Sequence, residues 1–262
     1  GASGSQLGKK DSIADTARVL AGMFDGIEYR GFGQERAEEL AAYSSVPVWN
    51  GLTNEWHPTQ FLADMLTIRE YGPKPFNATS LAYLGDGRYN MGNSLMIGCA
   101  MLGLDFRCVG PRELWTSDEV YEIASEIATR TGAEISREED VAKGVKHCDF
   151  IYTDVWLSMG ESEEAWEERI RMLLPYRVTN RVMRLTGNPG ARFLHCLPSF
   201  HNRDTTIGES IYQKFGLDCM EVDDEVFESD RNLAFAEAAN RMHTIKAVMV
   251  ATLAGDLLPP AY

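Results

Sequence analysis

Strand-like and helix-like patterns alternate along the whole chain of 262 residues, and this alternation constrains the fold more than any other feature. Short apolar runs predict strands at 26–30, 46–52, 81–85, 106–109, 150–155, 193–197 and 220–222. Apolar residues at spacings of three and four predict helices at 12–24, 34–43, 57–71, 91–102, 118–131, 164–174, 207–215 and 233–254. Strands that alternate with helices pair in parallel, so the sequence predicts an α/β fold whose parallel sheets are covered by helices on both faces.

Two prolines divide this pattern into two parts. Pro73 and Pro75 follow the third predicted helix and mark the best domain boundary. The last predicted helix is long enough to cross back to the first part. We therefore expect two parallel-sheet α/β domains. Residues 1–72 together with 233–262 would form the first domain, and residues 73–232 the second.

The charge balance excludes two classes of partner. The chain has 25 Lys and Arg residues against 39 Asp and Glu residues, a formal net charge of −14. Such a surface repels phosphate backbones and anionic lipids, so we expect no nucleic-acid partner and no membrane partner. No stretch reaches the roughly 18 apolar residues of a membrane-spanning helix, and the first residues do not have the pattern of a signal peptide.

The cysteines indicate the compartment. There are five of them, an odd number, and no two form a C-x-x-C pair. This usage is typical of a reducing environment rather than of a secreted disulfide framework. We therefore predict a cytoplasmic protein.

Candidate site residues follow the predicted strands, because ligands of open α/β sheets bind beyond the carboxyl ends of the strands. These polar positions are Arg30, the segment His57-Pro58-Thr59-Gln60, Asn90, Asp154 with the loop Ser158-Met159-Gly160, and His195-Cys196-Leu197. His57 and Gln60 are three residues apart on a helix and share a face, so they could aim two neutral donors at a carbonyl or carbamoyl group. The alternative is a plain helix cap. Arg30, near them, is a candidate anion clamp.

Asp154 and the loop that follows it suit a zwitterionic ligand. The acid can bind an ammonium group, and the backbone amides of the small-residue loop Ser158-Met159-Gly160 can bind a carboxylate. Asn90, at a predicted helix N-terminus, also favours a carboxylate. The alternative for Asp154 is a cap on the helix that begins after the loop.

Three motifs allow other chemistry. Gly85-Asp86-Gly87, with Gly92, suggests a dinucleotide site, but the glycine spacing does not match the fingerprint and a tight strand-to-helix turn explains it. His195-Cys196 suggests a thiol nucleophile, or a metal site with His201 and Asp204, but no standard zinc spacing is present. Thr129-Arg130-Thr131 precedes a glycine at a helix end and is interpreted as a solvated turn. We expect no metal and no cofactor.

Several longer motifs together resemble the ornithine carbamoyltransferases of the aspartate/ornithine carbamoyltransferase superfamily. They are H-P-T-Q at 57–60, D-V-W-L-S-M-G-E at 154–161, H-C-L-P at 195–198, N-R-M-H-T-I-K-A-V-M at 240–249, E-Y-R-G-F-G-Q at 28–34 and G-S-Q-L-G-K-K-D-S at 4–12. The Ser-Met-Gly loop is the most specific of these, and the similarity covers the whole chain.

The resemblance implies a reaction and a set of site residues. The carbamoyl group of carbamoyl phosphate would pass to the side-chain amine of ornithine, giving citrulline and phosphate, or the reverse. Carbamoyl phosphate would be held by Gln6, Arg30, His57, Gln60 and Arg241, with Gln6 reaching a neighbouring subunit's site. Ornithine would be held by Asn90, Asp154, Ser158, Met159, Cys196 and Leu197. Arg30, His57, Gln60, Cys196 and Arg241 would form the catalytic set. The resemblance also implies trimers, or multiples of trimers, and no cofactor.

One family motif is not found in the sequence. The Ser-Thr-Arg-Thr-Arg phosphate cradle of the resembled family has no counterpart, since Thr129-Arg130-Thr131 stands in the wrong structural place. We therefore expect a first domain that is truncated at its N-terminus, and a low rate for this chain alone. Two rival functions stay open: an amino-acid-binding fragment without catalysis, and an NAD-dependent oxidoreductase.

Overall fold

A computed structural model describes residues 11–156 and 165–254 of the chain, and strands and helices alternate throughout them. The strands are β1 (Ile27–Arg30), β2 (Val48–Leu52), β3 (Ser80–Leu84), β4 (Asp105–Val109), β5 (Glu134–Glu138), β6 (Phe150–Thr153) and β7 (Arg192–His195). The helices are α1 (Ile13–Ala21), α2 (Gln34–Tyr43), α3 (Pro58–Tyr71), α4 (Asn90–Leu102), α5 (Asp118–Thr131), α6 (Val141–Gly144), α7 (Ala165–Leu173), α8 (Asn180–Leu185), α9 (Thr206–Phe215), α10 (Asp224–Phe227) and α11 (Ala234–Leu253). The predicted α/β class with parallel sheets is confirmed.

The smaller sheet consists of β1 and β2, which pair in parallel with Ile27 opposite Val48. In β1 the buried residues Ile27 and Tyr29 alternate with exposed neighbours, because successive side chains of a strand point to opposite faces. Tyr29 packs with α1 and α2. This alternation leaves Arg30, the last residue of β1, exposed at the carboxyl end of the sheet.

The larger sheet has five parallel strands in the order β5-β4-β3-β6-β7. Every residue of the central strand β3 is buried, as expected for a parallel strand covered on both faces. Leu81 and Tyr83 face one apolar core, and Ala82 and Leu84 face the other. The carboxyl ends of β3, β6 and β7 therefore meet at one edge, where Asp86, Asp154 and Cys196 follow them.

The C-terminal helix α11 packs along α3, the helix that follows the smaller sheet. Asn240 of α11 donates to Thr67 Oγ1 of α3 at 3.0 Å and to Glu70 Oε2 at 2.7 Å. The predicted return of the last helix to the first part of the chain is confirmed. The domain boundaries drawn from the sequence stay a prediction.

Several elements differ from the sequence-based expectation, among them the short helices α6, α8 and α10, which were not predicted. Residues 220–222 do not form a strand, because Val222 makes only an isolated bridge with Val178 outside the sheets. Strand β5 was missed: its residues are half-buried or exposed at the sheet edge, so Glu134–Glu138 lacks the apolar run that predicts a strand.

The interpretation of Thr129-Arg130-Thr131 is confirmed. These residues end α5 on an exposed turn, and Gly132 follows them in a left-handed conformation with φ +79°. All five cysteines lie in the described part of the chain and are free thiols. Among the described residues, no helix is both long enough and apolar enough to span a membrane.

Candidate active site

The start of α3 places His57 and Gln60 at the carboxyl edge of β2. Pro58 occupies the first turn, where its missing N–H costs nothing. His57 precedes it, and its backbone N–H donates to Ser94 Oγ of α4 at 2.8 Å. Both side chains are buried: His57 is 4% exposed and Gln60 is 1% exposed. The local sequence therefore aims two polar side chains into the junction between the two sheets.

Arg241 of α11 joins these two residues, although it lies more than 180 positions away in the sequence. Its Nη1 donates to Gln60 Oε1 at 2.8 Å and lies 3.1 Å from His57 Nε2, and its Nη2 lies 3.4 Å from Thr59 Oγ1. We call His57, Gln60 and Arg241 the donor cluster. The structure thus brings together three of the predicted site residues.

His57 is an uncharged imidazole in this setting. Burial, together with the smaller effects of the Arg241 and Arg30 charges, lowers its pKa to about 3. Because Arg241 donates to Nε2, that nitrogen must carry a lone pair and Nδ1 carries the proton. Nδ1 lies 3.5 Å from Thr59 Oγ1. His57 can therefore orient or donate as a neutral ring at neutral pH.

Arg30 contributes charge at the rim of the donor cluster. Its loop is tied to the segment before His57, since Gly33 N–H donates to Asn54 Oδ1 at 2.7 Å and Gln34 N–H donates to Glu55 Oε2 at 3.0 Å. Gly33 has φ +84°, a conformation that favours glycine. Arg30 itself is exposed, and its charge is one of the causes that lower the pKa of His57.

The Nε2 group of Gln60 contacts two acids that were not predicted from the sequence. Gln60 Nε2 donates to Asp64 Oδ1 at 2.8 Å and to Glu237 Oε1 at 2.7 Å. We call Asp64 and Glu237 the buried carboxyl pair, because both residues are fully buried. A signal existed in the spacing: Asp64 stands four residues after Gln60, and Glu237 stands four residues before Arg241.

Asp154 follows β6, and its carboxylate faces the H-C-L-P turn. Its Oδ1 accepts from Val155 N–H at 2.7 Å and from the Cys196 thiol at 3.1 Å. Burial raises the pKa of Asp154. Within residues 11–156 and 165–254, no Lys or Arg forms a salt bridge with it. The charge of His195 acts in the opposite direction to burial and lowers the pKa of Asp154.

Cys196 is a thiol rather than a thiolate here. Burial raises its pKa well above the ordinary value, and the nearby Asp154 charge raises it further. Next to it, Leu197 has φ +56° and its N–H donates to His195 Nδ1 at 2.9 Å. We call Asp154, Cys196 and Leu197 the acid cluster. This environment does not favour the thiol-nucleophile interpretation of Cys196.

The geometry agrees with only part of the metal site that was considered for His195 and Cys196. One ligand atom from each of Asp154, His195 and Cys196 lies within 4.8 Å of the others. His195, however, already accepts the Leu197 N–H at Nδ1, and its Nε2 faces Glu221 Oε1 at 3.3 Å. His201 does not join this group, and its ring pairs with Asp224 instead of the predicted Asp204.

The glycines before α4 serve a tight turn. A Cβ on Gly92 would lie 2.2 Å from the carbonyl oxygen of Gly87, so only glycine lets the helix approach the loop this closely. Asn90 is the first residue of α4, as predicted, and is half-buried at the same edge. The turn interpretation of Gly85-Asp86-Gly87 accounts for these residues without a dinucleotide.

Asp86, between those glycines, forms a buried ion pair that the sequence did not indicate. It accepts from Arg169 of α7 in a short contact and from Arg88 Nε at 2.9 Å. Arg169 Nη1 also donates to the carbonyl oxygen of Trp156 at 3.1 Å. This pair ties the chain after β3 to the chain after β6, on either side of the acid cluster. Gln6, Ser158 and Met159 lie outside the described residues.

The donor cluster and the acid cluster are connected through Glu237. Its Oε1 accepts from Gln60 of the donor cluster and from the Tyr152 hydroxyl at 3.1 Å, and its Oε2 accepts from His195 N–H at 3.1 Å. Tyr152 and His195 stand two residues before Asp154 and one before Cys196. The predicted residues from both sheets thus converge on one site with positive charge at one end and negative charge at the other.

Comparison with protein families identifies the family of the chain. A sequence model described as the aspartate/ornithine carbamoyltransferase carbamoyl-P binding domain matches residues 1–70. A second, described as the aspartate/ornithine carbamoyltransferase Asp/Orn binding domain, matches residues 77–252. The chain belongs to the aspartate/ornithine carbamoyltransferase family.

Solved carbamoyltransferase structures agree with this assignment. An ornithine carbamoyltransferase from Pyrococcus furiosus is 36% identical, over 97% of this chain and 74% of its own, with a TM-score of 0.85. One from Gloeobacter violaceus is 35% identical, over 93% and 75%, with a TM-score of 0.79. An anabolic ornithine carbamoyltransferase from Campylobacter jejuni is 33% identical, over 95% and 75%, with a TM-score of 0.81. The two-domain carbamoyltransferase fold and the predicted resemblance are confirmed.

Proposed function

We propose that this carbamoyltransferase transfers the carbamoyl group of carbamoyl phosphate to the side-chain amine of ornithine, giving citrulline and phosphate, or the reverse. The observation that carries the proposal is the polarity of the site. Cationic and neutral donors converge at one end, and an acid without a Lys or Arg partner among the described residues stands at the other. The solved structures named above as ornithine carbamoyltransferases support the same choice of acceptor.

The donor cluster suits the carbamoyl phosphate end. The guanidinium of Arg241, with Arg30 at the rim, attracts the phosphate dianion, and Arg241 with neutral His57 can donate to oxygen as charge grows on the carbamoyl carbonyl. Preorganised donors of this kind stabilise the transition state without rearranging during the reaction.

The acid cluster suits the amino-acid end. The Asp154 carboxylate can bind an ammonium group, and Asn90 stands at a helix N-terminus that favours a carboxylate. Residues Ser158 and Met159, by the resemblance, would complete this part, and Gln6 would complete the phosphate part. The second carboxylate of an acceptor such as aspartate would be repelled by the Asp154 carboxylate, whereas the ammonium group of ornithine would be attracted to it. Holding both substrates in the correct relative position supplies much of the rate enhancement.

The test is a citrulline assay on the purified 262-residue chain, with ornithine or aspartate as acceptor and with binding measured in parallel by calorimetry. Citrulline formed from ornithine, with no carbamoyl aspartate formed from aspartate, supports the proposal. Ornithine binding without citrulline would support the rival amino-acid-binding function. Hydride transfer with NAD and no carbamoyl chemistry would support the oxidoreductase rival.

We further propose a homotrimer or a multiple of it in the cytoplasm, with arginine metabolism as the setting. These proposals depend on the family resemblance and on the cysteine usage. Light scattering at micromolar concentration tests the assembly: a mass near three chains supports it, and a monomer that retains turnover contradicts the proposed sharing of Gln6 between subunits.

A further inference from the structure

The buried carboxyl pair is not explained by substrate binding, since it lies behind Gln60 rather than at the reacting end. Asp64 on α3 and Glu237 on α11 both accept from the same Gln60 nitrogen. The Tyr152 hydroxyl, with a single proton to donate, lies 3.1 Å from Glu237 Oε1 and 3.5 Å from Asp64 Oδ1. In the part of the chain that the structure describes, no Lys or Arg forms a salt bridge with either acid. Two ionised carboxylates in such a place would repel each other and would both carry a desolvation cost.

The hydrogen bonds of the two acids are unequal. Glu237 accepts three donors, from Gln60 and Tyr152 at Oε1 and from His195 N–H at Oε2. Asp64 accepts firmly at Oδ1 only, and its Oδ2 is buried without any partner. A carboxylate accepting several donors is stabilised as an anion, whereas a buried ionised oxygen without a donor carries a large desolvation cost.

We propose that Asp64 is a protonated carboxylic acid at neutral pH, that Glu237 is the carboxylate, and that together they are positioning residues which fix the Gln60 amide. Both Nε2 protons of Gln60 are consumed by the two acids, so Oε1 must face Arg241. The amide cannot flip, because a flipped amide would turn its oxygen toward two acceptors and its NH2 toward the guanidinium. The pair thereby holds Arg241 in line with His57.

Other titratable groups face the pair from each neighbouring element. They are Arg241 of α11, Cys99 of α4, Tyr152 of β6, His195 at the end of β7, and Asp154 and Cys196 beyond the sheet. Burial raises the pKa of both acids, and the charge of Glu237 raises the pKa of Asp64 well above its ordinary value. The direction agrees with the assignment of the proton to Asp64.

Replacing each acid by its amide separates the two roles. In Asp64→Asn the new NH2 can take the place of Oδ2, which has no partner to lose. In Glu237→Gln the new NH2 faces a hydrogen-bond donor in both amide orientations. In the place of Oε1 it faces Gln60 and Tyr152, and in the place of Oε2 it faces the His195 N–H. We expect Glu237→Gln to lower the melting temperature at pH 7 clearly more than Asp64→Asn does. Glu70→Gln is the matched control, since Glu70 also links α3 to α11 but does not contact Gln60.

The pH dependence of stability tests the proton directly. A folded Asp64 that keeps its proton, while the unfolded chain releases it, makes folding less favourable as pH rises above about 4. The melting temperature of the parent relative to Asp64→Asn should therefore fall between about pH 5 and pH 8. A difference in melting temperature between the parent and Asp64→Asn that does not change with pH would overturn the assignment. A pH-dependent difference seen only between the parent and Glu237→Gln would overturn it as well.

If Asp64→Asn and Glu237→Gln both fail to fold, an NMR measurement on protein that retains both acids still tests the proposal. The side-chain carboxyl carbons of Asp, labelled with ¹³C, report protonation by their chemical shift. In Asp154→Asn protein, which removes the other buried aspartate with a raised pKa, one Asp resonance should stay at the protonated position at pH 7. Its absence would contradict a protonated Asp64.

The consequence for catalysis depends on the proposed function. In Glu237→Gln the KM for carbamoyl phosphate should rise roughly tenfold, since one buried hydrogen-bond partner of Gln60 is mispaired, while Glu70→Gln should leave it near the parent value. A KM that is unchanged in Glu237→Gln would contradict the positioning role. If no carbamoyl transfer occurs in any variant or in the parent, the proposed function fails, and the stability and ¹³C measurements still decide the protonation.

Discussion

The donor cluster and the acid cluster stand at neighbouring strand ends, yet they handle charge in opposite ways. Arg241 is held by the side chains of His57, Thr59 and Gln60, and burial, followed by the charge of Arg241, lowers the pKa of His57 to about 3. Asp154 has backbone and thiol donors and no Lys or Arg partner among the described residues, and burial raises its pKa. One cluster holds an arginine cation and the other an acid without such a partner.

This difference explains how one site can distinguish two substrates. The phosphate of the carbamoyl donor would bind a cation that is aligned by neutral side chains. The amine of the carbamoyl acceptor would bind an acid that has no Lys or Arg partner among the described residues. The carboxylate of Glu237 lies between them and connects Gln60 to the chain just before Cys196. Changes in either cluster should therefore affect one substrate much more than the other.

The largest effect should follow the removal of Arg241. Arg241→Ala deletes the charge and the donors shared with His57 and Gln60, so we expect kcat/KM for carbamoyl phosphate to fall about 10²–10³-fold. Steady-state citrulline kinetics measure it. The control is Arg130→Ala, which removes an exposed arginine at the end of α5. A loss below tenfold, or an equal loss in the control, would remove Arg241 from the donor cluster.

A somewhat smaller and differently placed effect should follow Asp154→Asn. The substitution keeps the shape and removes the charge that we assign to the ornithine ammonium. Losing one partner of a desolvated charge pair costs about 2 kcal/mol or more, roughly 30-fold in affinity. Calorimetry of ornithine binding measures it, with Glu119→Gln, an exposed acid of α5, as the control. Binding within about twofold of the parent would break the contrast between the two clusters.

Cys196→Ser should have a modest effect. Serine keeps a donor to Asp154, and the high pKa of the thiol is unsuited to nucleophilic attack. We expect turnover to stay within about tenfold of the parent, since one hydrogen bond of about 1 kcal/mol changes. Steady-state kinetics check this, and intact-protein mass spectrometry tests the alternative directly. A carbamoylated Cys196 trapped during turnover would make the thiol a nucleophile.

The smallest effect should be on the pH dependence of activity through His57. Because its folded pKa is about 3, the ring stays neutral at pH 5–8 and kcat/KM should show no acid limb from it. Stability behaves differently: the unfolded ring takes up a proton below about pH 6.5 and the folded ring does not, so folding weakens by up to about 1.4 kcal/mol per pH unit as pH falls toward 3.

A ¹H–¹⁵N NMR titration of the His57 ring checks this, with free imidazole added as an internal reference. A midpoint near pH 6.5 for His57 would show that the ring is charged at the lower end of the working range. The contrast between a charged arginine and a neutral histidine in the donor cluster would then be wrong.

Much of the fold could be predicted because its signals are local. The period of apolar residues predicted α2 and α5 with their observed bounds and placed β3 and β6 within a few residues. His57 and Gln60 were found in the same way, since a spacing of three on a helix fixes a shared face. Strand β5 was missed because a strand at the sheet edge does not need an apolar run. The strand predicted at 220–222 was wrong because two apolar residues around Glu221 are also compatible with an isolated buried bridge.

The amino-acid sequence by itself determined the alternation of elements, the polar residues at the strand ends and the motifs of the carbamoyltransferase family. Only the tertiary structure decided which of those residues meet, and in which protonation state. The spacing of Asp64 to Gln60 and of Glu237 to Arg241 indicates a shared helix face, but it does not show that this face is buried, since acids such as Glu70 on the same helices are exposed. The packing of α11 on α3 removes both from water and places them on one amide, because burial and long-range contacts, rather than local sequence, set the cost of a charge.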